Sequence, residues 1–331
     1  MSTAIMPAAL VAAAAPVARR VRAFFAPVNR ATGQPTICDA SQQGSFVLDA
    51  PPAPWVDLGW CSGFSRKGAT VVSALRTGAP AVVQSQARTE LEATVQMEFQ
   101  SWGKLQLAVA SGSQQMNLLV TGAGAIPNGS GGVSATAVPL MSSVGASTAT
   151  ALNVGAAAAG GFAAGDVVAV DVDYSGQTGF VGTGASAAWV RAAADVGGDV
   201  NYVRRVTLNV GRVVSIGGGV LQLGNALLAG APVSGMQVSR VAGFVDREGG
   251  TFFQEWSGLF CMDGEQGDRV LYHYPRLQAM HSSGEIAEAL VGGLERWKLN
   301  GAFRALPTKD ANDGSTVLCY RSYLPGPMRS V

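Results

Sequence analysis

The stretch Arg88–Phe99, which reads RTELEATVQMEF, decides the fold class of this chain. Polar side chains alternate with apolar ones along it: Glu90, Glu92, Thr94, Gln96 and Glu98 are the polar set, and Leu91, Ala93, Val95, Met97 and Phe99 are the apolar set. A period of two residues predicts a β-strand with one face toward a core and the other toward water. A whole polar face on a strand is more typical of a wetted surface than of a catalytic pair formed by Glu90 and Glu92.

Further strands are predicted on both sides of this stretch, and one short helix is predicted directly after it. Ser101 is the predicted N-cap of the helix, Leu105 and Val109 lie on its apolar stripe, and Gly112 is its predicted end. The predicted strands are Val21–Val28, Pro35–Asp39, Ser45–Leu48, Ala69–Leu75, Glu255–Met262, Arg269–Tyr274, Glu285–Leu299 and Thr316–Tyr323. The sequence therefore indicates a mainly β fold with a flanking helix.

The middle of the chain differs in composition, because its strands are short, rich in valine and almost free of aromatic residues. They are predicted at Asp166–Asp173, Val203–Ile216, Val220–Leu223 and Pro232–Val241, with a tight turn at Gly217–Gly219. The strands before and after this region share a more aromatic and charged character. This favours a small β-barrel or sandwich inserted into a first domain, and two domains in sequence are the alternative.

Composition excludes several classes of protein. The chain has 331 residues, with 23 Lys+Arg against 22 Asp+Glu, and only 14% of its residues are charged. A polybasic nucleic-acid binder shows a charge excess, and a disordered chain is poor in apolar residues, whereas this chain is 48% hydrophobic. It has no stretch of about 20 strongly apolar residues, so we expect no membrane span.

One glycine-rich segment suggests an enzyme at first sight. Asn117–Gly129 reads NLLVTGAGAIPNG, which resembles the strand-to-glycine turn of a short-chain dehydrogenase. Pro127 and Gly129–Gly132 prevent a useful helix from following, and no tyrosine has a lysine four positions later. We therefore interpret the segment as a loop and predict no cofactor and no enzymatic activity.

Histidine and cysteine usage argues against a metal site. The chain has two histidines, and the one in a predicted strand, His273, is interpreted as structural. The four cysteines are far apart and form no CxxC pair, so we predict free thiols and no structural zinc. They are Cys38, Cys61, Cys261 and Cys319.

Several segments of the outer regions share features of one family. They are Ala23–Cys38 (AFFAPVNRATGQPTIC), Trp55–Phe64 (WVDLGWCSGF) with its Asp57–Gly59 element, the alternating strand near Glu90 with its helix, and Gly284–Leu306 with Thr316–Tyr323. Together they resemble phage tail tube proteins, also called major tail proteins. The resemblance covers Val21–Leu119 and Phe244–Leu324, and the middle region departs from it.

The resemblance implies a fold and an assembly. The expected fold is a tail-tube-like β-sandwich of two packed antiparallel sheets with a flanking α-helix, plus an inserted small β domain on the outside of the tube. The expected limits are residues 1–17 for an N-terminal arm, 18–134 and 244–331 for the tube core, and 135–243 for the insertion. Six copies would form a ring, strands from each copy would join into an inner β-barrel, and the rings would stack.

The resemblance also implies partners and a location. The lumen would hold a tape-measure protein and then let DNA pass without specific binding. Sheath, baseplate or tail terminator proteins would contact the tube, which belongs to the virion and assembles in the cytoplasm of the bacterial host. The alternative functions are another virion or injection-machine component, such as a baseplate ring or decoration protein, and, least favoured, a dinucleotide-binding enzyme.

The alternating strand yields a hypothesis about the lumen. An inner barrel needs strands with one wettable face and one core face, as in Arg88–Phe99. Acidic side chains on the wettable face repel DNA phosphates and prevent sticking. We therefore predict that Glu90, Glu92, Thr94, Gln96 and Glu98 face the lumen.

Overall fold

The computed structural model describes residues 18–29, 32–101, 103–120, 137–141, 147–170, 209–247, 255–265, 267–280 and 283–325. Within these ranges antiparallel strands dominate. The strands are β1 (Ala18–Pro27), β2 (Val56–Thr77), β3 (Val82–Phe99), β4 (Gln114–Leu119), β5 (Val138–Pro139), β6 (Ala151–Asn153), β7 (Val167–Val170), β8 (Val210–Gly217), β9 (Val220–Leu223), β10 (Gln237–Arg247), β11 (Glu255–Gly264), β12 (Arg269–Ala279), β13 (Gly284–Ala289), β14 (Glu295–Ala305), β15 (Thr308–Lys309), β16 (Thr316–Val317) and β17 (Tyr320–Leu324). The helices are α1 (Lys104–Ser111) and α2 (Ala156–Ala159), and Ala40–Ser45 form a 3₁₀ turn.

The larger sheet has eight strands in the order β13-β14-β3-β2-β1-β11-β12-β17. It curls until β12 also pairs with β14, from Leu277 opposite Ala305 to Ala279 opposite Phe303. The six strands β14, β3, β2, β1, β11 and β12 therefore form a closed ring of pairings, with β13 and β17 outside it. Closure removes the edges of these six strands wherever they overlap.

Aromatic side chains fill the space inside the closed strands. Phe25 makes edge-to-face contacts with Phe303 and Phe260, at ring-centroid distances of 5.3 and 5.9 Å. Val95 and Met97 of β3 join this core, which confirms the inward direction predicted for the apolar set of the alternating strand. Its first member, Leu91, lies outside the core and is exposed.

Strands β1 and β11 are buried on both faces, because a second, smaller core covers their other side. Phe24 and Leu259 belong to this core, together with Trp55 from the loop that precedes β2. A strand buried on both faces has no reason to alternate, and the run AFFAP in β1 is apolar throughout.

Two predicted strands in the loop before β2 are wrong. Pro35–Asp39 has no strand partner, and two of its backbone N–H groups bind side chains instead: Thr36 donates to Ser257 Oγ at 2.9 Å and Cys38 donates to His273 Nε2 at 3.4 Å. Ser45–Leu48 contains the end of the 3₁₀ turn and one isolated bridge, from Val47 to Ala50.

Helix α1 closes one side of the main core with Leu105 and Val109, as the apolar stripe predicts. Its end at Gly112 is confirmed, since this glycine has the left-handed φ of 66°. The predicted N-cap is wrong: Gly103, not Ser101, occupies that position with an extended backbone. No charged residue other than Lys104 occurs in the helix, so packing stabilises it more than electrostatics does.

The smaller sheet has the order β4-β10-β7-β8-β9-β6, with β5 also paired to β10. Its separate core consists of aliphatic side chains such as Leu152, Val168 and Leu221. These findings confirm a mainly β fold with a flanking helix and a second, smaller β unit. Strand β4 precedes residue 135 and β10 extends past residue 243, so the smaller sheet is wider than the predicted limits. The division of the chain into domains stays a prediction.

Candidate assembly surface

Strands β2 and β3 form a hairpin that extends well beyond the core. Strand β1 pairs only with Val56–Cys61 of β2, and β14 pairs only with Thr94–Phe99 of β3. Beyond these limits β2 and β3 pair only with each other, and every residue from 67 to 90 is exposed. We call residues 67–92 the long hairpin. An isolated two-stranded hairpin is marginally stable in water, so a projection of this length indicates a surface that another molecule covers.

The long hairpin has two faces of different chemistry. Directly opposed residues of antiparallel strands share a face, and the pairs Val72–Arg88 and Arg76–Val83 therefore lie together with the pair formed by Thr70 and Leu91. This core-side face continues the inner face of the barrel. The other face, which we call the outer face, contains Lys67, Ala69, Val71, Ser73, Leu75, Thr77, Val82, Ser85, Ala87, Glu90 and Glu92.

Large apolar side chains are exposed on both faces of the long hairpin. They are Val71, Val72, Leu75, Val82, Val83 and Leu91, and Leu75 has 61% of its surface in contact with water. Scattered exposed apolar residues are normal, but three on each face of one hairpin form two clusters of the kind that marks a protein interface.

A second hairpin, formed by β13, β14 and their turn, projects from the barrel as well. Strand β14 runs past the end of β3, because Leu299 is already opposite Phe99. We call residues 284–298 the short hairpin. Its turn is apolar, and Val291 at the turn is 99% exposed and Leu294 67% exposed. Ile286 and Trp297 add two further exposed apolar side chains.

The two hairpins project from opposite ends of one four-stranded segment, β13-β14-β3-β2. The long hairpin extends past the C-terminal end of β14, and the short hairpin extends past the C-terminal end of β3. In the part of the chain that the structure describes, β13 has no partner on its outer side, and β2 has none beyond Cys61 except β3. The segment therefore has two free edges and two projecting ends.

The five residues predicted to face a lumen all lie on the outer face of this segment. Glu90 and Gln96 are exposed, and Glu92, Thr94 and Glu98 are half-buried by their neighbours. Their common surface is confirmed, whereas a position in a lumen stays a prediction, since only an assembly contains a lumen.

Basic residues on β14 pair with two of the three carboxylates, Glu92 and Glu98. Arg304 binds Glu92 at 2.9 Å, and Lys298 binds Glu98 at 3.3 Å. The ladder continues to β13, where Glu288 contacts Lys298 and Arg296, each at 3.0 Å. The hydrogen bond from Lys298 holds the pKa of Glu288 below its usual range.

The charges on the outer face of the segment balance. In the part of the segment beyond Cys61 of β2, where β2 no longer pairs with β1, the described carboxylates are Glu90, Glu92, Glu98 and Glu288, and the described cations are Lys67, Arg296, Lys298 and Arg304. The face is thus one of mixed charge, whereas β3 alone suggested an acidic one. A surface of paired charges has a weak field beyond about 10 Å, so it neither attracts nor strongly repels a polyanion.

His273 has a structural role. Its Nδ1–H donates to the Gly258 carbonyl at 3.3 Å, and its Nε2 accepts from the Cys38 N–H at 3.4 Å, so both nitrogens of the neutral ring are satisfied. Burial lowers its pKa to about 4. The ring also stacks on Tyr320, with centroids 5.9 Å apart. This arrangement confirms the structural interpretation.

Two of the four cysteines are buried and two are half-buried. All four cysteines are free, as predicted, and burial raises the pKa of Cys61 and Cys261 to about 12. The described ranges contain no group of three or more His, Cys, Asp and Glu side chains that could hold a metal ion. Most of the glycine-rich segment Asn117–Gly129 lies outside the described residues.

Neither the protein-family models nor the curated proteins compared with this chain match it. Among the described residues, no helix is long and apolar enough to cross a membrane. Sequence reasoning missed the long and short hairpins, although their apolar residues were visible. The signal that could have found the short one is the run LVGGL at Leu290–Leu294, which is too apolar for a solvated turn.

Proposed function

We propose that this chain is a structural subunit of a bacteriophage tail tube. One observation supports this best: a four-stranded segment with two free edges has hairpins that project from its opposite ends. Free edges favour strand pairing with neighbouring copies, which builds a ring. Projecting hairpins at opposite ends favour contacts above and below, which stack the rings.

The geometry suits a ring with an inner barrel. Strands in a closed barrel tilt by about 35–45° and are staggered in register. The free edge of β13 and the free edge of β2 lie at opposite ends of the segment. The β13 edge of one copy can therefore pair with the β2 edge of the next only if the two copies are staggered in register. The closed strands of each subunit would then lie outside the inner barrel and the outer face would line it.

The mixed charge of the outer face suits a channel for DNA. We propose that Glu90, Glu92, Thr94, Gln96 and Glu98 line the lumen together with Lys298 and Arg304. Each carboxylate of the ladder has a cation within 3.4 Å, which leaves no dense basic patch to hold phosphate groups. The tape-measure protein would occupy the same lumen before DNA passes.

The purified chain tests the proposal. We expect negative-stain images to show hollow stacked rings and sedimentation velocity to show large polymers. Single rings or discrete particles would favour a baseplate ring or decoration protein instead. A monomer at all concentrations would refute the proposal.

A matched variant removes the long hairpin without touching the core. Thr70 and Leu91 are directly opposite each other, so a two-residue Asn-Gly turn can replace Val71–Glu90. We expect this variant to retain the melting temperature of the wild type and a β-type circular dichroism spectrum, reduced by the deleted strand residues, but to form no tubes. Tubes of normal length from this variant would contradict the assigned role of the hairpin.

A further inference from the structure

A groove of about 460 Å³ lies beside β17, the last strand of the larger sheet. The extended segment with Ile37 and Asp39 forms one wall, and the turn with Asp310 forms the other. Tyr320 and Ser322 of β17 lie between the walls. Among the described residues, β17 pairs only with β12, so its outer edge is open to an extended backbone.

Two carboxylates give the groove an anionic character. Asp310 accepts a hydrogen bond from the Tyr320 hydroxyl at 2.7 Å, which holds its pKa below the usual range. Asp39 accepts from the Ser41 hydroxyl at 2.7 Å, with the same effect on its pKa. The one cation among the lining residues, Lys309, donates to Thr316 Oγ1 at 3.1 Å. The lining thus has a net charge of −1.

The core-side face of the long hairpin has the opposite character. It presents Arg76 and Arg88 and contains no carboxylate, because Glu90 and Glu92 lie on the outer face. Val72, Val83 and Leu91 lie between and beside the arginines, each about half exposed. In the groove, the exposed side chain of Ile37 and the ring of Tyr320 can contact apolar side chains of this kind.

We propose that the core-side face of the long hairpin of one copy docks into the groove beside β17 of the next copy. Arg76 and Arg88 meet Asp39 and Asp310, and the valines cover Ile37. The inference rests on the proposed function and names the surface that receives the hairpin. Because two different patches of the same chain meet, the contact is heterologous and repeats from copy to copy, as a ring or filament needs.

Charge reversal on each side tests the contact. The hairpin variant combines Arg76→Glu with Arg88→Glu, and the groove variant is Asp39→Lys. Like charges at an interface cost several kcal/mol, so we expect each variant to need about tenfold or more protein to assemble. The groove variant leaves the Asp310–Tyr320 hydrogen bond intact. The control, Ser215→Glu with Ser234→Glu, adds charge at exposed positions in the region of the smaller sheet and should assemble normally.

Mixing the two variants is the decisive measurement. In an alternating assembly half of the contacts are wild type on both sides, and in the other half the hairpin glutamates meet the lysine at position 39 beside the unchanged Asp310. An equimolar mixture should therefore assemble at a lower protein concentration than either variant alone. Hairpin and groove variants that assemble like the wild type, or a mixture as defective as its components, would overturn the docking. If the wild type itself forms no polymer, the proposed function fails, and that result is distinct from the failure of the variants alone.

Discussion

The apolar turn of the short hairpin allows a quantitative prediction. Replacement of Leu290, Val291 and Leu294 by serine removes three side chains that the monomer exposes to water. Complete burial of one such side chain contributes about 1.5–3 kcal/mol. Val291 is 99% exposed, Leu294 67% and Leu290 46%, so burial in an assembly would contribute at least about 3 kcal/mol per contact.

This magnitude sets the expected effect on assembly. Since 1.4 kcal/mol corresponds to a factor of ten, the triple variant should need about 100 times more protein to polymerise. Its free energy of unfolding should fall by only about 1–3 kcal/mol, because within one copy Val291 is fully exposed and Leu290 and Leu294 are partly covered. Sedimentation velocity over a concentration series measures the first quantity, and urea denaturation under monomeric conditions measures the second.

A control variant separates a specific contact from a general loss of apolar surface. Met141, Val214 and Val233 are also exposed but belong to the region of the smaller sheet. Their replacement by serine should leave the polymerisation threshold unchanged. The reasoning fails if the short-hairpin variant polymerises at the wild-type threshold, or if both variants lose assembly equally.

Three further predictions concern the folded subunit. Gly301→Ala should destabilise the barrel by about 1–3 kcal/mol in urea denaturation, because an added Cβ would lie 2.8 Å from a ring carbon of Phe303, whereas Gly217→Ala, with open space around it, should have little effect. The pKa of His273 is lowered from 6.5 to about 4, so on acidification the unfolded state binds a proton at this histidine before the folded state does. The free energy of unfolding should therefore be highest above pH 6.5 and fall by about 3 kcal/mol toward pH 4. His273→Gln should make this pH dependence weaker. The buried thiol of Cys61 should react with a thiol reagent only after denaturation, and rapid labelling of the native protein would contradict its burial.

The sequence was informative wherever one face of an element is buried. From Ala93 to Phe99 the alternation of β3 matches the structure, because the core dictates every second residue. From Val82 to Glu90 both faces are exposed, so nothing imposes alternation on VVQSQAR, and the sequence could not indicate that β3 begins at Val82.

The ion pairs between β3 and β14 could not be predicted from the sequence, for a different reason. Glu98 and Arg296 are 198 positions apart in the chain and meet only because β14 lies beside β3. When β3 is considered without β14, its polar face contains only acidic and neutral side chains. Whether a face is acidic or neutral depends on which distant strands lie side by side and in which register, and the sequence alone does not show that register.

The smaller sheet has a consequence for how the barrel forms. Register places Gln114 of β4 opposite Arg247 of β10, so the pairing of these strands holds together two points 133 positions apart. Without this pairing, a flexible loop of that length must close before β1 can pair with β11, and its closure costs about 4 kcal/mol in chain entropy. If the smaller sheet folds first, the barrel has only a short connection left to close. The smaller sheet then sets the folding rate of the barrel, and substitutions in its core, such as at Leu152 or Leu221, would slow the formation of contacts in which they take no part.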